Sequence, residues 1–483
     1  MSEALESPPA TAGAHSLKAG VLGLFDSVIM GVAGVAPAYS IAGTTAVLFG
    51  AVAFGGPAAL LYCGVAMFGI VFAFSYLGRV ETNAGASYSW VRRALHPALG
   101  YLSGWALVVS ALIFMVIATL PVGSNLVSLF STSLASNKLL VTVVGCVFFL
   151  SMVAAVAAGV TVTVTVQIIM STIELALLVL FALLAIVHAH ANPFSWHWFS
   201  PGVFHGSSGF FAGALIAAFY YWGWDVTANL SEETKNAKKT PGLGAIIGII
   251  VVFVLFEVFT VATNMVLSTH ALTNPNNAAD ILSVLGQKVW HGTGGKLIVI
   301  AVILSTVATL ETTLIQVTRT LFAMGRDNTL PKALGRIAPN AKTPLVATMT
   351  VMVISLALFV GSQSFGSIAN ILTAGVNSIG LQIAIYYCFA GLAVVVLYRR
   401  QIFTSVSNFI FMGLWPLVGA VFMGVMFIKV IPTLTNTDLW VGLGSMALGL
   451  IPLAYYWARR NPYFDMPAKE DRHAVLVEFE ENL

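Results

Sequence analysis

The sequence predicts an all-α integral membrane protein of about twelve transmembrane helices, and three observations predict it. Of the 483 residues, 58% are apolar and only 8% charged, where soluble domains carry about 25% charged residues. Apolar runs close to the ~20 residues that cross a hydrocarbon core of ~30 Å recur along nearly the whole chain. The basic residues are sorted between alternate loops. The runs fall at roughly 22–48, 56–78, 98–130, 138–158, 163–187, 209–231, 243–268, 296–321, 344–361, 366–398, 405–430 and 438–458. With a cytoplasmic N-terminus, only Lys138, Lys288, Lys296 and Lys429 of the 22 Lys and Arg lie outside, the asymmetry of the positive-inside rule. An even number of spans then puts both termini in the cytoplasm, in a multi-pass protein of the cytoplasmic (inner) membrane.

The polar stretches, the longest near 79–97, 188–208, 269–295 and 322–343, are too short for a water-soluble domain. Function therefore has to reside within the membrane. Met1 to Ser16 lacks the features of a signal peptide and reads as a disordered tail, as does Asp465 to Leu483. Cys63, Cys146 and Cys388 stand singly in apolar runs and read as small core residues. The loop with His188, His190, His197, His205, Trp196 and Trp198 has no acid or Cys to complete a metal site, so it reads as an interfacial aromatic belt.

Two spans carry interruptions. In the first, Gly31-Val32-Ala33-Gly34-Val35-Ala36-Pro37 combines two glycines with a proline that has no N–H. At 1.5 Å per residue this segment lies about 14–22 Å from the start of the span, mid-bilayer. The sixth span holds Tyr220-Tyr221-Trp222-Gly223-Trp224-Asp225 at similar depth. Either break alone suits a kink or a packing point. Five spans separate them, an odd number that inverts the second copy, and paired breaks in corresponding positions point to an inverted-repeat transporter and its binding site.

Asp225 is one of four acids within apolar runs, with Glu174, Glu257 and Glu311. A carboxylate at such depth costs roughly 2.5–3.5 kcal/mol or more and is a site candidate by default. Asp225 is either a ligand for an amine or proton, or a cap for backbone N–H groups in the unwound segment. A half-helix that starts at mid-membrane offers N–H groups and a positive dipole end to an anion, while carbonyls at the breaks suit an ammonium ion. The stretch Gly31, Val32, Ala33 and Gly34 with Tyr221, Trp222, Trp224, Asp225 and Glu311 is thus the expected binding site, and a zwitterionic amino acid fits both of its ends. Glu174 is a proton carrier or a neutral acid bonded to a neighbouring helix, with Gln167 on the same face as its expected local partner. Ser305, Thr306, Thr309, Thr312 and Thr313 could hold sodium but also bond back to their own helix. Asp26 and Arg319, near one membrane face, form either an ion-paired inner gate or simple anchors.

These segments carry a resemblance. The first-span break, Glu81-Thr82-Asn83-Ala84-Gly85-Ala86-Ser87-Tyr88-Ser89-Trp90-Val91-Arg92-Arg93, Trp222-Gly223-Trp224-Asp225 with Glu232-Glu233-Thr234-Lys235-Asn236 and Thr240-Pro241, and Thr318-Arg319 with Met324-Gly325-Arg326-Asp327 and Leu330-Pro331 resemble the amino acid, polyamine and organocation (APC) superfamily of transporters. The first break departs from the family's usual Gly-Ser-Gly or Gly-Ala-Gly.

The resemblance implies a LeuT-like fold of two inverted five-helix repeats with discontinuous helices 1 and 6, plus two C-terminal helices. It divides the chain into a cytoplasmic tail at 1–20, repeats at 21–190 and 209–400 joined by an extracellular loop at 191–208, final spans at 401–460 and a cytoplasmic tail at 461–483. The substrate is then held between the broken helices, with contacts from the third, eighth and tenth. Glu174 stands about where proton-driven members place a lysine.

The function expected is secondary active transport of a small amino acid by alternating access, coupled to protons or Na+, with proton-coupled import favoured. A polyamine or other organic amine, obligate exchange and a transporter-like nutrient sensor are the rivals. No enzymatic motif, filter repeat, metal set or organic cofactor is expected. The partners are the solute and the lipid bilayer, not nucleic acid.

Overall fold

The computed structural model describes residues 16–467 apart from 132, 188–190, 275–276, 278–280 and 363–367. The tail before Ser16, most of the tail after Asp465, and His188 and His190 lie outside the described residues.

The first span is two helices, α1 (Leu24–Val35) and α2 (Pro37–Val52). The second is α3 (Gly56–Val80), followed by the short α4 (Ser87–Ala94) and then the long third span α5 (Pro97–Phe130). Spans four and five are α6 (Lys138–Ala158) and α7 (Val160–Val187). The sixth is again divided, into α8 (Gly206–Tyr220) and α9 (Val226–Asn229). The seventh is α10 (Thr240–Val266), and the small helices α11 (Thr269–Thr273) and α12 (Ile281–Val289) lead into the eighth, α13 (Thr293–Arg326). Then come α14 (Leu345–Ser362) and α15 (Ile368–Leu397). The eleventh runs from α16 (Val406–Asn408) through a π turn into α17 (Trp415–Val430). The last is α18 (Asn436–Leu439), α19 (Ser445–Leu448) and α20 (Leu450–Ala458).

Among the described residues, ten helical stretches are long and apolar enough to cross a membrane; Leu24–Val80 counts as one of them although it holds two expected spans, and the broken sixth lies outside the ten. All twelve expected spans therefore have a helical counterpart. Large apolar side chains such as Val147, Leu183, Val353 and Ile428 stand more than half exposed on α6, α7, α14 and α17. Apolar flanks this broad need a hydrocarbon solvent, and helices suit it because their backbone groups pair internally.

The first interruption is narrower than the sequence suggested. Gly31 to Gly34 remain helical, and the chain leaves the helix at one residue, Ala36, in the left-handed region at φ 53°, ψ 69°. Pro37 is the reason: its ring disfavours the α conformation in the residue before it and restarts the helix as the first residue of α2. The Ala36 N–H closes α1 on the carbonyls of Val32 and Ala33, and the Ser40 hydroxyl donates to the Val35 carbonyl at 2.8 Å. In the sixth span the interruption covers Tyr221 to Asp225, with Gly223 at φ +109°, a backbone that favours glycine.

The two breaks touch. A Cβ on Gly34 would run into the carbonyl oxygen of Gly223, and a Cβ on Gly223 into that of Gly34. α13 braces the crossing, packing on α1, α2, α5 and α7. Replacing Gly223 with Ala is expected to destabilise the purified protein by about 1–3 kcal/mol through overpacking, with further strain from the positive φ. Gly50→Ala, where nothing lies within 4 Å, should leave the melting temperature unchanged or slightly raised, so comparable melting of both variants would refute the contact.

A candidate binding site where two interrupted helices cross

Asp225 lies at the end of the sixth-span break, fully buried. It heads α9, yet its side chain caps no backbone N–H of that helix. One carboxylate oxygen, Oδ2, accepts a 2.9 Å hydrogen bond from the Tyr386 hydroxyl of α15. Tyr386 in turn accepts from the indole N–H of Trp222. The other oxygen, Oδ1, has no hydrogen-bond partner. Gln316 of α13 and Tyr387 of α15 lie close to this carboxyl, but the Gln316 amide nitrogen and Tyr387 hydroxyl fall outside bonding geometry. The residue's own backbone N–H, in the interrupted segment, also lies close to this carboxyl.

Aromatic rings enclose the neighbourhood. Phe114 of α5 meets Trp222 edge-on at 5.6 Å and Tyr39 of α2 at 5.7 Å. Trp224 is turned elsewhere: it stacks on Tyr387 at 5.6 Å and meets Phe74 of α3 at 5.1 Å. Of the two expected capping tryptophans, only Trp222 reaches the Tyr39–Phe114 cluster. Tyr221 sits behind the break, donating to the Leu60 carbonyl at 3.2 Å. Gly34 faces Gly223, Gly31 approaches Thr227 of α9, and Ala33 packs with Met170 and Ala308. Val32, like these, is buried.

The N-terminus of α2 is not the vacant anion site that the sequence suggested. The Ala38 N–H donates to Oε1 of Glu174 at 3.0 Å, and the Tyr39 N–H to the Ser305 hydroxyl at 3.1 Å. A fully buried acid from α7 holds that position. Gln167 does share a face with Glu174, but it is not its partner: it donates to Glu311 Oε2 and to the Ala308 carbonyl, both at 2.8 Å. Glu311 thus sits between α13 and α7. The eighth-span hydroxyls divide, with Thr306 and Thr312 bonding back within α13 while Thr309 donates to the Gly34 carbonyl at 2.9 Å. Glu257, on α10, is half-buried, neither oxygen has a hydrogen-bond partner, and it lies near Tyr221.

The Asp26–Arg319 ion pair, one of the two alternatives at this face, does not form. Asp26 caps its own helix, accepting the Gly23 N–H at 2.8 Å, because a carboxylate in a first turn is held by the local helix dipole. Arg319 lies seven residues inside the end of α13 and pairs through two bonds of 3.0 and 3.1 Å with Glu233, both side chains buried. Glu233 also accepts the N–H groups of Val21 and Leu22 at its carbonyl, and Glu232 accepts from Ala84 and Arg326. Asn229 bridges the Ala84 carbonyl and Thr320. These bonds draw the segment before α1, the loop after α3, the segment after α9 and the end of α13 together on one face. On the opposite face a cavity of about 380 Å³ opens between α2, α8, α15 and α17, lined by Ala51, Ile216, Asn377 and Thr433 among others.

A model for the amino acid permease family matches residues 22–451. The chain belongs to that family. It is 26% identical over 413 residues to the branched-chain amino acid permease BcaP of Lactococcus lactis, covering 81% of this chain and 84% of the relative. It is 25% identical over 446 residues to the low-affinity putrescine importer PlaP of Escherichia coli, covering 86% and 88%. The methylthioribose transporter of Bacillus subtilis matches at 25% over 339 residues, 66% of this chain and 70% of that protein. The permease is a multi-pass membrane protein, as its helices and relatives agree.

Sequence reasoning missed Phe114, Gln316, Tyr386, Tyr387 and Glu233. Gln316 and the Tyr386-Tyr387 pair were visible as polar groups within apolar runs, but nothing in the order of residues aims them at Asp225. Breaking the buried Arg319–Glu233 pair by Arg319→Ala should cost about 3–5 kcal/mol because it strands a carboxylate. Asp26→Ala should cost only about 0.3–1 kcal/mol. Thermal melting of the two purified variants checks the contrast, and equal losses would reject the assignment of partners.

Proposed function

We propose that this permease is a secondary active transporter that carries a small ammonium-bearing solute, an amino acid or an amine, between its interrupted first and sixth helices by alternating access. The observation that carries the reading is the buried Asp225 with one oxygen unbonded at the break, close to the Trp222–Phe114–Tyr39 cluster. A carboxylate attracts an ammonium group, and aromatic faces add about 0.5–2 kcal/mol according to desolvation. The sorting of Lys and Arg favours cytoplasmic termini in an inner-membrane protein. The bonded network then closes the cytoplasmic side while the 380 Å³ cavity faces outward. Repeats at 21–190 and 209–400 moving against each other would exchange these two states.

Import coupled to protons is the proposed energy source. Glu311 is bonded to a neutral amide and is a group that can hold a proton.

Uptake of radiolabelled alanine, arginine, putrescine and ethanolamine into proteoliposomes tests the function. At least one should accumulate, faster when the interior is alkaline. Asp225→Asn should lower its affinity at least tenfold, and Glu311→Gln should remove the response to the pH gradient while leaving exchange intact. Ligand binding without flux would make the protein a sensor instead. Wild-type kinetics in Asp225→Asn would remove the proposed site.

A further inference from the structure

The first turn of a helix leaves its leading N–H groups without helical partners, and at mid-membrane these must find other acceptors. At the start of α2 every one is accounted for. Ala36 donates to carbonyls of α1, Pro37 has no N–H, Ala38 donates to Glu174 and Tyr39 to Ser305. Ser40 then resumes the helical pattern by donating to the Ala36 carbonyl. Glu174 fills this role whether or not it carries a proton, since either form offers an acceptor oxygen.

The second break adds a further carboxylate, Asp225, immediately before α9, although it bonds no N–H of that short helix. A zwitterion entering here would bring its carboxylate toward a helix end already occupied by Glu174 and toward the Asp225 carboxylate. Its ammonium group meets unbonded carboxylate oxygens, Asp225 Oδ1 and Glu174 Oε2, while the N–H groups at the head of α2 are taken and the unbonded donors of Gln316 and Tyr387 lie against the Asp225 carboxyl.

We propose that Glu174 takes the place of a substrate carboxylate, so that the permease selects small organic amines without a carboxylate over the corresponding amino acids. The inference rests on the transporter reading above and narrows it to a substrate class. Glu174 is then a specificity-determining residue that acts by filling the backbone donor of Ala38.

The test uses the full-length purified protein and pairs of ligands that share a side chain and differ by the carboxylate: leucine with 3-methylbutylamine, serine with ethanolamine, ornithine with putrescine. Equilibrium binding is measured for each, with flux into proteoliposomes alongside. In the pair that binds most tightly, the amine is expected to bind at least tenfold more tightly than the amino acid. Glu174→Ala frees the Ala38 N–H and should move that ratio at least tenfold toward the amino acid. Glu174→Gln, which keeps an acceptor oxygen and the shape, should move it less and serves if the alanine variant does not fold. Tighter wild-type binding of the amino acid overturns the inference and leaves the transporter reading standing. A ratio unchanged by both variants overturns the role of Glu174. Amine binding without flux overturns transport but not the preference, and binding of no member of any pair overturns both.

Discussion

In hydrocarbon an unpaired backbone group has no water to turn to, and the architecture of this permease follows from that constraint at its two broken helices. Each interruption releases N–H and carbonyl groups at mid-membrane, and around the first break four of them are met by side chains. Ser40 bonds the Val35 carbonyl, Thr309 the Gly34 carbonyl, Ser305 the Tyr39 N–H and Glu174 the Ala38 N–H. Three of those four partners come from α7 and α13. The break in helix 1 is therefore held by the fifth and eighth spans, and a movement of α1 and α2 relative to them has to exchange these bonds.

The second consequence is closeness. Gly34 and Gly223 allow the two breaks to meet backbone to backbone, which leaves no side-chain volume between them. Asp225 then meets α15 through Tyr386. The Asp225–Tyr386–Trp222 chain ties one sixth-span turn to the tenth span at two points, so the orientation of the carboxylate and of the indole are set together. The free Oδ1 is what remains after that chain is satisfied.

At the face holding the segment before α1, a different device joins the helices. The fully buried Arg319–Glu233 pair is bidentate, and burial makes such a pair intolerant of losing either member. Around it, bonds from Val21, Leu22, Ala84, Asn229 and Glu232 link four segments that are distant in sequence. The C-terminal segment adds to this face, where Arg92 donates to the Tyr463 carbonyl and Asn461 to those of Asp327 and Asn328.

The sequence alone determined the solvent, the span count, the segments that hold the two breaks and the acids within the spans. Each of these is a one-dimensional property: apolar length matched to bilayer thickness, proline and glycine in the helical backbone, and charge where charge is costly. It also placed Gln167 and Glu174 on one face, because a seven-residue separation is two helical turns. Which neighbour each side chain met was decided by the tertiary structure. Gln167 turned to Glu311, Arg319 chose Glu233 over Asp26, Trp224 faced Phe74 and Tyr387, and Glu174 filled the helix end expected to be open. Helical periodicity fixes the direction of a side chain around its own axis, but the partner depends on how twelve such axes are packed, and that information is not local to any segment.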